Sequence, residues 1–213
     1  MHRSRVLALF LLVLGVGITG AAREVRGRTL HSAATPSVEV LAGSAFRFVG
    51  RVPFRLAESE GERYIFVDAG DDKALRRLLV VQFESFLPSS HETFGYDLSS
   101  GREMAGLRFI SNTFAFPAAT AAVAQPKDEA EATNNFLLKK GFKMPAVWLA
   151  TRYVTIADGD LRKSEMIVFY MEGKSDRTMA DLYAGEEPTP AWRAEKPALE
   201  ERSLANFTLV HPH

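Results

Sequence analysis

The clearest hydrophobic pattern in the chain is the stretch RRLLVVQFESFLP, in which polar side chains interrupt an otherwise apolar run. A helix would gather the apolar residues on one stripe. A strand would place Leu79, Val81 and Phe83 on one face and Gln82 on the other. Adjacent valines followed by phenylalanine favour the strand, because a helix would turn both valines toward solvent. We therefore predict a strand over residues 76–87.

Alternating apolar and polar residues predict further strands. They cover residues 45–58, 63–70 and 106–117, and both arms of a hairpin within residues 145–173. The pair Asp158–Gly159 divides that hairpin, and Asp-Gly between apolar runs is a strong signal for a two-residue turn. Short connections between consecutive strands favour antiparallel pairing, so we expect an antiparallel sheet of five to seven strands.

One segment, residues 127–140, has the features of a well-formed helix. Acidic residues occupy its first turn and two lysines its last, which suits the helix dipole, and Gly141 is placed to end it. The proline-rich residues 186–197 are interpreted as a surface loop. The pattern predicts a single α+β domain over residues 39–210, with this one main helix packed on a curved antiparallel sheet.

The N-terminal residues 1–22 combine a short cationic start, a short apolar run and small residues at the end. This is the pattern of a cleavable secretory signal peptide. The alternative is an uncleaved membrane anchor, for which the apolar run is short. Residues 23–38 are polar and lack periodicity, so we expect a flexible tether there. The chain is interpreted as an exported protein, periplasmic or extracellular and bacterial, with no transmembrane span after cleavage.

Charge and cysteine content exclude some classes of protein. The 213-residue chain has 26 basic and 26 acidic side chains, so the basic surface typical of nucleic-acid binding is not expected. The chain has no cysteine, so an exported domain must depend on core packing rather than on disulfide bonds. That composition suits a bacterial envelope protein and excludes thiol chemistry.

Candidate catalytic groups are few. The loop 89–104 holds His91, Glu92 and Asp97, and a secreted hydrolase that uses them is one hypothesis. A zinc-protease motif would need a second histidine where the chain has Gly95, and no nucleophile elbow or phosphate-binding loop occurs. We therefore expect no metal and no cofactor, and we favour a protein without enzymatic activity.

The predicted hairpin contains a charged pair that needs an explanation. With Asp-Gly as the two turn residues, Arg152 faces Glu165 across the strands and Trp148 faces Phe169. An exposed pair at the rim of the sheet would contribute little stability. A buried pair would instead be the polar anchor of a pocket lined by aromatic side chains. Both interpretations stay open, and the second predicts a binding site made of Arg152, Glu165, Trp148, Phe169 and Tyr96.

Aromatic residues concentrate on the predicted sheet, and this decides the preferred function. The hypothesis is a non-enzymatic domain that binds an apolar small molecule, a lipid or a protein partner through that sheet. The alternatives are the hydrolase and a structural or assembly partner in the cell envelope that binds through an edge strand. Glu84 and Glu165 would form a carboxylate pair only if the fold brings them together.

Overall fold

The structure is a computed structural model in which residues 22–211 are described, so the signal-peptide prediction for residues 1–22 lies almost wholly outside them. The first eight strands are β1 (Arg23–Arg26), β2 (Thr29–Ser32), β3 (Val38–Ala42), β4 (Arg47–Arg55), β5 (Ser59–Ala69), β6 (Leu75–Phe86), β7 (Arg102–Met104) and β8 (Leu107–Pro117). The later strands are β9 (Val147–Ile156), β10 (Ser164–Lys174), β11 (Tyr183–Ala184), β12 (Glu187–Pro188) and β13 (Phe207–Val210). The helices are α1 (Glu129–Lys139), α2 (Met179–Leu182) and α3 (Pro190–Leu204). None of the helices between residues 22 and 211 is long and apolar enough to cross a membrane.

Seven strands form one large sheet in the order β4-β5-β6-β10-β9-β8-β7, and every neighbouring pair is antiparallel. A second sheet has four strands in the order β1-β2-β3-β13. The α+β class and the seven-strand antiparallel sheet are therefore confirmed. Consecutive strands lie next to each other in most of the large sheet, as short connections dictate.

The strand predicted over residues 76–87 is confirmed as β6, which lies between β5 and β10 in the sheet. Leu79, Val81 and Phe83 share one face and are buried in the larger core cluster. The opposite face is also covered, since Gln82 is only 1% exposed. A strand buried on both faces reads as a continuous apolar run, which explains why its sequence resembles a buried helix.

The flexible tether expected at residues 23–38 is wrong, because β1 and β2 form a hairpin there. Gly27 is the first residue of the two-residue turn between the strands, and its φ of +61° is the left-handed conformation that such turns require. Leu30 and Val38 are fully buried against the large sheet. The strands are too short to show a period, and their burial depends on pairing with β3, which no local pattern reveals.

The helix predicted at residues 127–140 is confirmed as α1. The Asp128 side chain caps it by accepting from the backbone N–H of Glu131. Leu137 is fully buried on the face of the large sheet opposite the small sheet. The ring of Phe136 lies so close to Gly50 on β4 that a Cβ there would be 2.5 Å from its Cζ atom. These contacts fix α1 over one edge of the sheet and leave the neighbouring strands less covered.

A second long helix, α3, begins within residues 186–197, where a proline-rich loop was expected, so that interpretation is wrong from Pro190 onward. The Thr189 hydroxyl accepts from the backbone N–H of Trp192, and Pro190 follows at the first helical position, where its missing N–H costs nothing. Trp192 and Leu199 are fully buried between α3 and the face of the large sheet that carries the small sheet.

The hairpin of β9 and β10 is confirmed, but its two-residue turn is wrong. A 3₁₀ turn at Gly159–Leu161 lengthens the connection, and the Asp158 carboxylate closes it by accepting from the backbone N–H of Lys163. The pairing is therefore shifted by four residues from the predicted register. Arg152 lies opposite Phe169 instead of Glu165. Because four is an even number, every side chain keeps its predicted face of the sheet.

Candidate ligand-binding site

A cavity of about 320 Å³ lies between α1 and the large sheet. That volume is at the lower end of the range of roughly 300–1,000 Å³ found for small-molecule pockets. Its apolar lining comes from four adjacent strands and consists of Leu78, Val80, Phe114, Phe116, Trp148, Phe169 and Met171. Two of the predicted binding residues, Trp148 and Phe169, therefore line one cavity.

The aromatic rings of the cavity are only partly covered by the rest of the protein. Phe114 and Phe116 project from β8 on the same face, and their ring centroids are 5.7 Å apart. Both rings and that of Phe169 are half-buried, whereas Trp148 is 2% exposed. Half-buried aromatic side chains around a concave surface are available for contact with another molecule.

Arg63 on β5 forms the polar end of the cavity and links the sheet to α1. Its Nε donates to Gln82 Oε1 at 2.6 Å, one terminal nitrogen donates to Thr133 Oγ1 at 3.2 Å, and the other to Glu129 Oε1 at 3.1 Å. Burial lowers the pKa of Arg63 to about 10, and the Glu129 charge opposes that shift. The guanidinium also lies 5.4 Å from the Phe169 ring centroid, so it borders the apolar part directly.

The hydrogen-bonded chain continues from Gln82 along the same sheet face to Glu84. Gln82 Nε2 donates to Glu84 Oε2 at 2.8 Å, and the Ser59 hydroxyl donates to Glu84 Oε1 at 2.5 Å. Each carboxylate oxygen therefore accepts one hydrogen bond.

Glu165 lies directly opposite Glu84 on the neighbouring strand β10, so the fold does bring the two carboxyl groups together. Glu165 is 3% exposed. Burial raises the pKa of Glu165 to about 7, and the Glu84 charge adds to that rise, whereas the Tyr96 hydroxyl and Arg152 oppose it. Among the described residues, Glu165 Oε2 is buried without a hydrogen-bond partner.

Arg152 lies on the same face and is the second polar residue without a partner there. Its Nε is buried and has no hydrogen-bond acceptor among residues 22–211. The guanidinium lies 6.0 Å from the Tyr96 ring centroid. Burial and the Glu165 carboxyl raise the pKa of Tyr96 to about 12, so the phenol stays protonated. Arg152 and Glu165 therefore both lie near Tyr96 on one face of the sheet. They are not directly opposite each other, as the predicted hairpin register required.

Tyr96 lies near Arg152 and Glu165 because hydrogen bonds hold its loop against the β9–β10 connection. Arg162 donates from Nε to the carbonyl of Phe94 and from a terminal nitrogen to the carbonyl of Tyr96, both at 2.8 Å. The Phe94 ring packs on Phe86 with centroids 4.5 Å apart. The irregular loop thus has a defined position over the polar end of the sheet.

The catalytic candidates of the same loop are not assembled into a site. His91, Glu92 and Asp97 are all exposed. The Asp97 carboxylate accepts from the backbone N–H of Ser99, which is an ordinary turn contact. No contact among the described residues joins His91 to either carboxylate, so the geometry does not support a catalytic pair there.

Sequence reasoning missed Arg63, Gln82, Glu129 and Thr133. Arg63 directly precedes the apolar part of β5 and has the same parity as the buried Ile65, which was a usable signal of an inward-facing charge. Its partner Glu129 lies 66 residues away in the chain, and no local pattern relates them.

A larger depression of about 480 Å³ on the other side of the molecule is lined mainly by charged residues. Asp68 there accepts from Arg76 and Arg77, and Glu172 accepts from Arg202. Because both carboxylates already have cationic partners, these groups hold the strands and α3 together. We interpret the depression as structural.

Within residues 22–211, no group of three histidine or acidic side chains is placed to hold a metal ion. Comparisons with protein-family models, curated proteins and solved structures gave no match.

Proposed function

We propose that the protein binds an apolar small molecule in the cavity under α1 and that it is not an enzyme. The observation that carries the proposal is the cavity itself, with an apolar floor of partly exposed rings and a polar end at Arg63. Small-molecule sites combine these features, since apolar contact provides affinity and a few fixed polar groups provide orientation. The hydrogen bonds of Arg63 to α1 and to the sheet give the site a preformed shape.

A protein partner fits the surface less well than a small molecule. Among the described residues, four large apolar side chains are exposed: Leu41 and Val210 lie on the paired strands β3 and β13, and Val123 and Leu161 each lie alone in a connection. Isolated apolar residues of this kind are normal for a monomeric surface, whereas a docking face is contiguous. The partly exposed rings lie inside a concave site instead, which favours a small occupant.

Binding is tested with N-phenylnaphthylamine, an uncharged apolar dye whose emission rises in apolar surroundings. We expect saturable binding to the protein. Ala130 is exposed on α1 and lines the cavity, so Ala130→Phe should fill the cavity from the solvent side and weaken dye binding at least about tenfold. Ala194, exposed on α3, provides the matched control Ala194→Phe, which should bind like the unchanged protein. Equal binding by both variants, or no saturable binding at all, would contradict the proposed function.

We further propose that the protein acts outside the cytoplasm after loss of the N-terminal segment. Cleavage after Ala22 would leave the hairpin of β1 and β2 whole, since β1 begins at Arg23. We expect the intact mass of protein purified from its native host's cell-envelope fraction to correspond to a chain that begins at Arg23. A mass that includes Met1 to Ala22 would show that the segment is retained as an anchor.

A further inference from the structure

The polar end of the cavity under α1 contains a cation whose charge is already balanced. Arg63 is 6% exposed, and one of its terminal nitrogens lies 3.1 Å from Glu129 Oε1. Burial lowers the pKa of Arg63 to about 10, so the guanidinium remains charged near neutral pH. Both residues line the cavity. A ligand that fills the cavity therefore meets an ion pair rather than a free positive charge.

Further carboxylates make the surroundings of Arg63 unfavourable for an anion. Asp128, which precedes α1, and Glu84 on β6 both act on the Arg63 charge, in addition to Glu129. The negative groups near Arg63 thus outnumber its single positive charge. A ligand carboxylate would have to displace Glu129 from Arg63 or remain beside Glu129, and like charges near a buried site repel each other more strongly than in water.

A cationic ligand is disfavoured for a different reason. The guanidinium lies 5.4 Å from the Phe169 ring centroid, so it already occupies a position from which a ligand cation would contact that ring. It would also repel a second cation at close range. The rest of the lining is mainly apolar, so an ammonium group would lose its hydration without gaining a free anionic partner.

Hydrogen-bonding groups for an uncharged ligand are present at the same end of the cavity. A guanidinium has five N–H groups, and the described protein groups accept from three of those of Arg63. The side chain of Asn134 on α1 also lines the cavity and is half-buried, and its amide has no hydrogen-bond partner among the described residues. An amide both donates and accepts, so it suits a neutral polar group.

We propose that the site selects an uncharged amphiphile, with an apolar chain in the cavity and a neutral carbonyl or amide group at the polar end, and that Glu129 excludes carboxylates. This inference rests on the proposed function, since the apolar chain occupies the cavity under α1. It adds the charge of the ligand and the residue that determines it, which the apolar lining alone does not specify.

The experiment compares ligands that have similar apolar chains and differ mainly in the charge of the head group. Decanamide, decanoic acid and decylamine compete with N-phenylnaphthylamine at pH 7.5, below the concentrations at which they form micelles. At that pH the acid is an anion and the amine a cation. We expect decanamide to bind at least about tenfold more tightly than either, because each charged head group would be desolvated beside a like charge.

Variants of α1 assign the selectivity to the Glu129 charge. In Glu129→Gln the amide oxygen can still accept from Arg63, but the negative charge is lost. We expect the ratio of decanamide affinity to decanoic acid affinity to fall at least about tenfold. Glu129→Asp keeps the charge and should keep the rejection of decanoic acid. Glu131→Gln, the matched control, removes a carboxylate of the same helical turn that does not line the cavity, and the ratio should not change.

The outcomes separate this inference from the function on which it rests. If the dye binds but decanoic acid or decylamine competes as well as decanamide, the selectivity is overturned and the apolar site remains. An unchanged ratio in Glu129→Gln, or an equal fall in Glu131→Gln, would overturn the role of Glu129. Failure of the dye to bind the unchanged protein would instead remove the proposed function.

Discussion

Val81→Asp is expected to unfold the domain. Val81 is fully buried in the middle of the large sheet, with Tyr64 on one neighbouring strand and Val168 on the other. Burial of a carboxylate without a partner costs several kcal/mol, roughly 3–5, which is a large part of the roughly 5–15 kcal/mol by which a domain is stable. Circular dichroism and urea denaturation at pH 7 measure the effect, and we expect loss of the cooperative unfolding transition.

The same change at an exposed valine isolates the effect of burial. Val123 is 41% exposed in the connection before α1, so Val123→Asp should leave the urea midpoint nearly unchanged. A Val81→Asp variant that unfolds at the midpoint of the unchanged protein would mean that this face of β6 is not the core.

The fold was predictable where local sequence determines structure. β6 followed from β-branched and aromatic residues, and α1 from its acidic first turn, the lysines of its last turn and the glycine that follows it. The hairpin of β1 and β2 was missed because only four residues form each strand and the pairing with β3 stabilises them. The first half of α3 was missed because prolines suggested a loop, although Pro190 occupies the first helical position, where its missing N–H costs nothing, and Pro197 is accommodated within the helix.

Of the five residues predicted for the site, Trp148 and Phe169 line the cavity, whereas Arg152, Glu165 and Tyr96 do not. A two-residue turn would have paired Arg152 with Glu165, and the longer loop of the structure separates them by four residues along β10. Both still project from one face, because side chains alternate with a period of two. The parity of Arg63 indicated an inward-facing charge, but its hydrogen bonds to Glu129 and Thr133 could not be predicted, because these residues belong to a helix distant in the chain.

The stability of the protein is expected to depend on pH through Glu165. Burial raises the pKa of Glu165 from 4.5 to about 7, so the folded state holds a proton that the unfolded state releases between those values. The contribution of Glu165 to the free energy of unfolding is therefore greatest below about pH 4.5. It falls as the pH rises to about 7 and then stays constant. The full loss is roughly 3 kcal/mol, at about 1.4 kcal/mol per pKa unit.

Urea denaturation of the unchanged protein and of Glu165→Gln at pH 5 and pH 8 measures this contribution. Other carboxyl groups titrate in both proteins, so the difference between the two isolates Glu165. We expect Glu165→Gln to match the unchanged protein within about 1 kcal/mol at pH 5 and to be more stable by roughly 2–4 kcal/mol at pH 8.

Glu172→Gln provides a control of opposite sign. Burial of Glu172 alone would raise its pKa, but the hydrogen bonds and charge of Arg202, together with Tyr170 and Lys174, outweigh burial and lower the pKa. Its stabilisation is therefore present above its unfolded pKa and is lost as the pH falls. We expect Glu172→Gln to be less stable than the unchanged protein at pH 8, where Glu165→Gln is more stable. If Glu165→Gln is destabilising at pH 8 as well, the Glu165 carboxylate has an ionic partner in solution and is not unpaired.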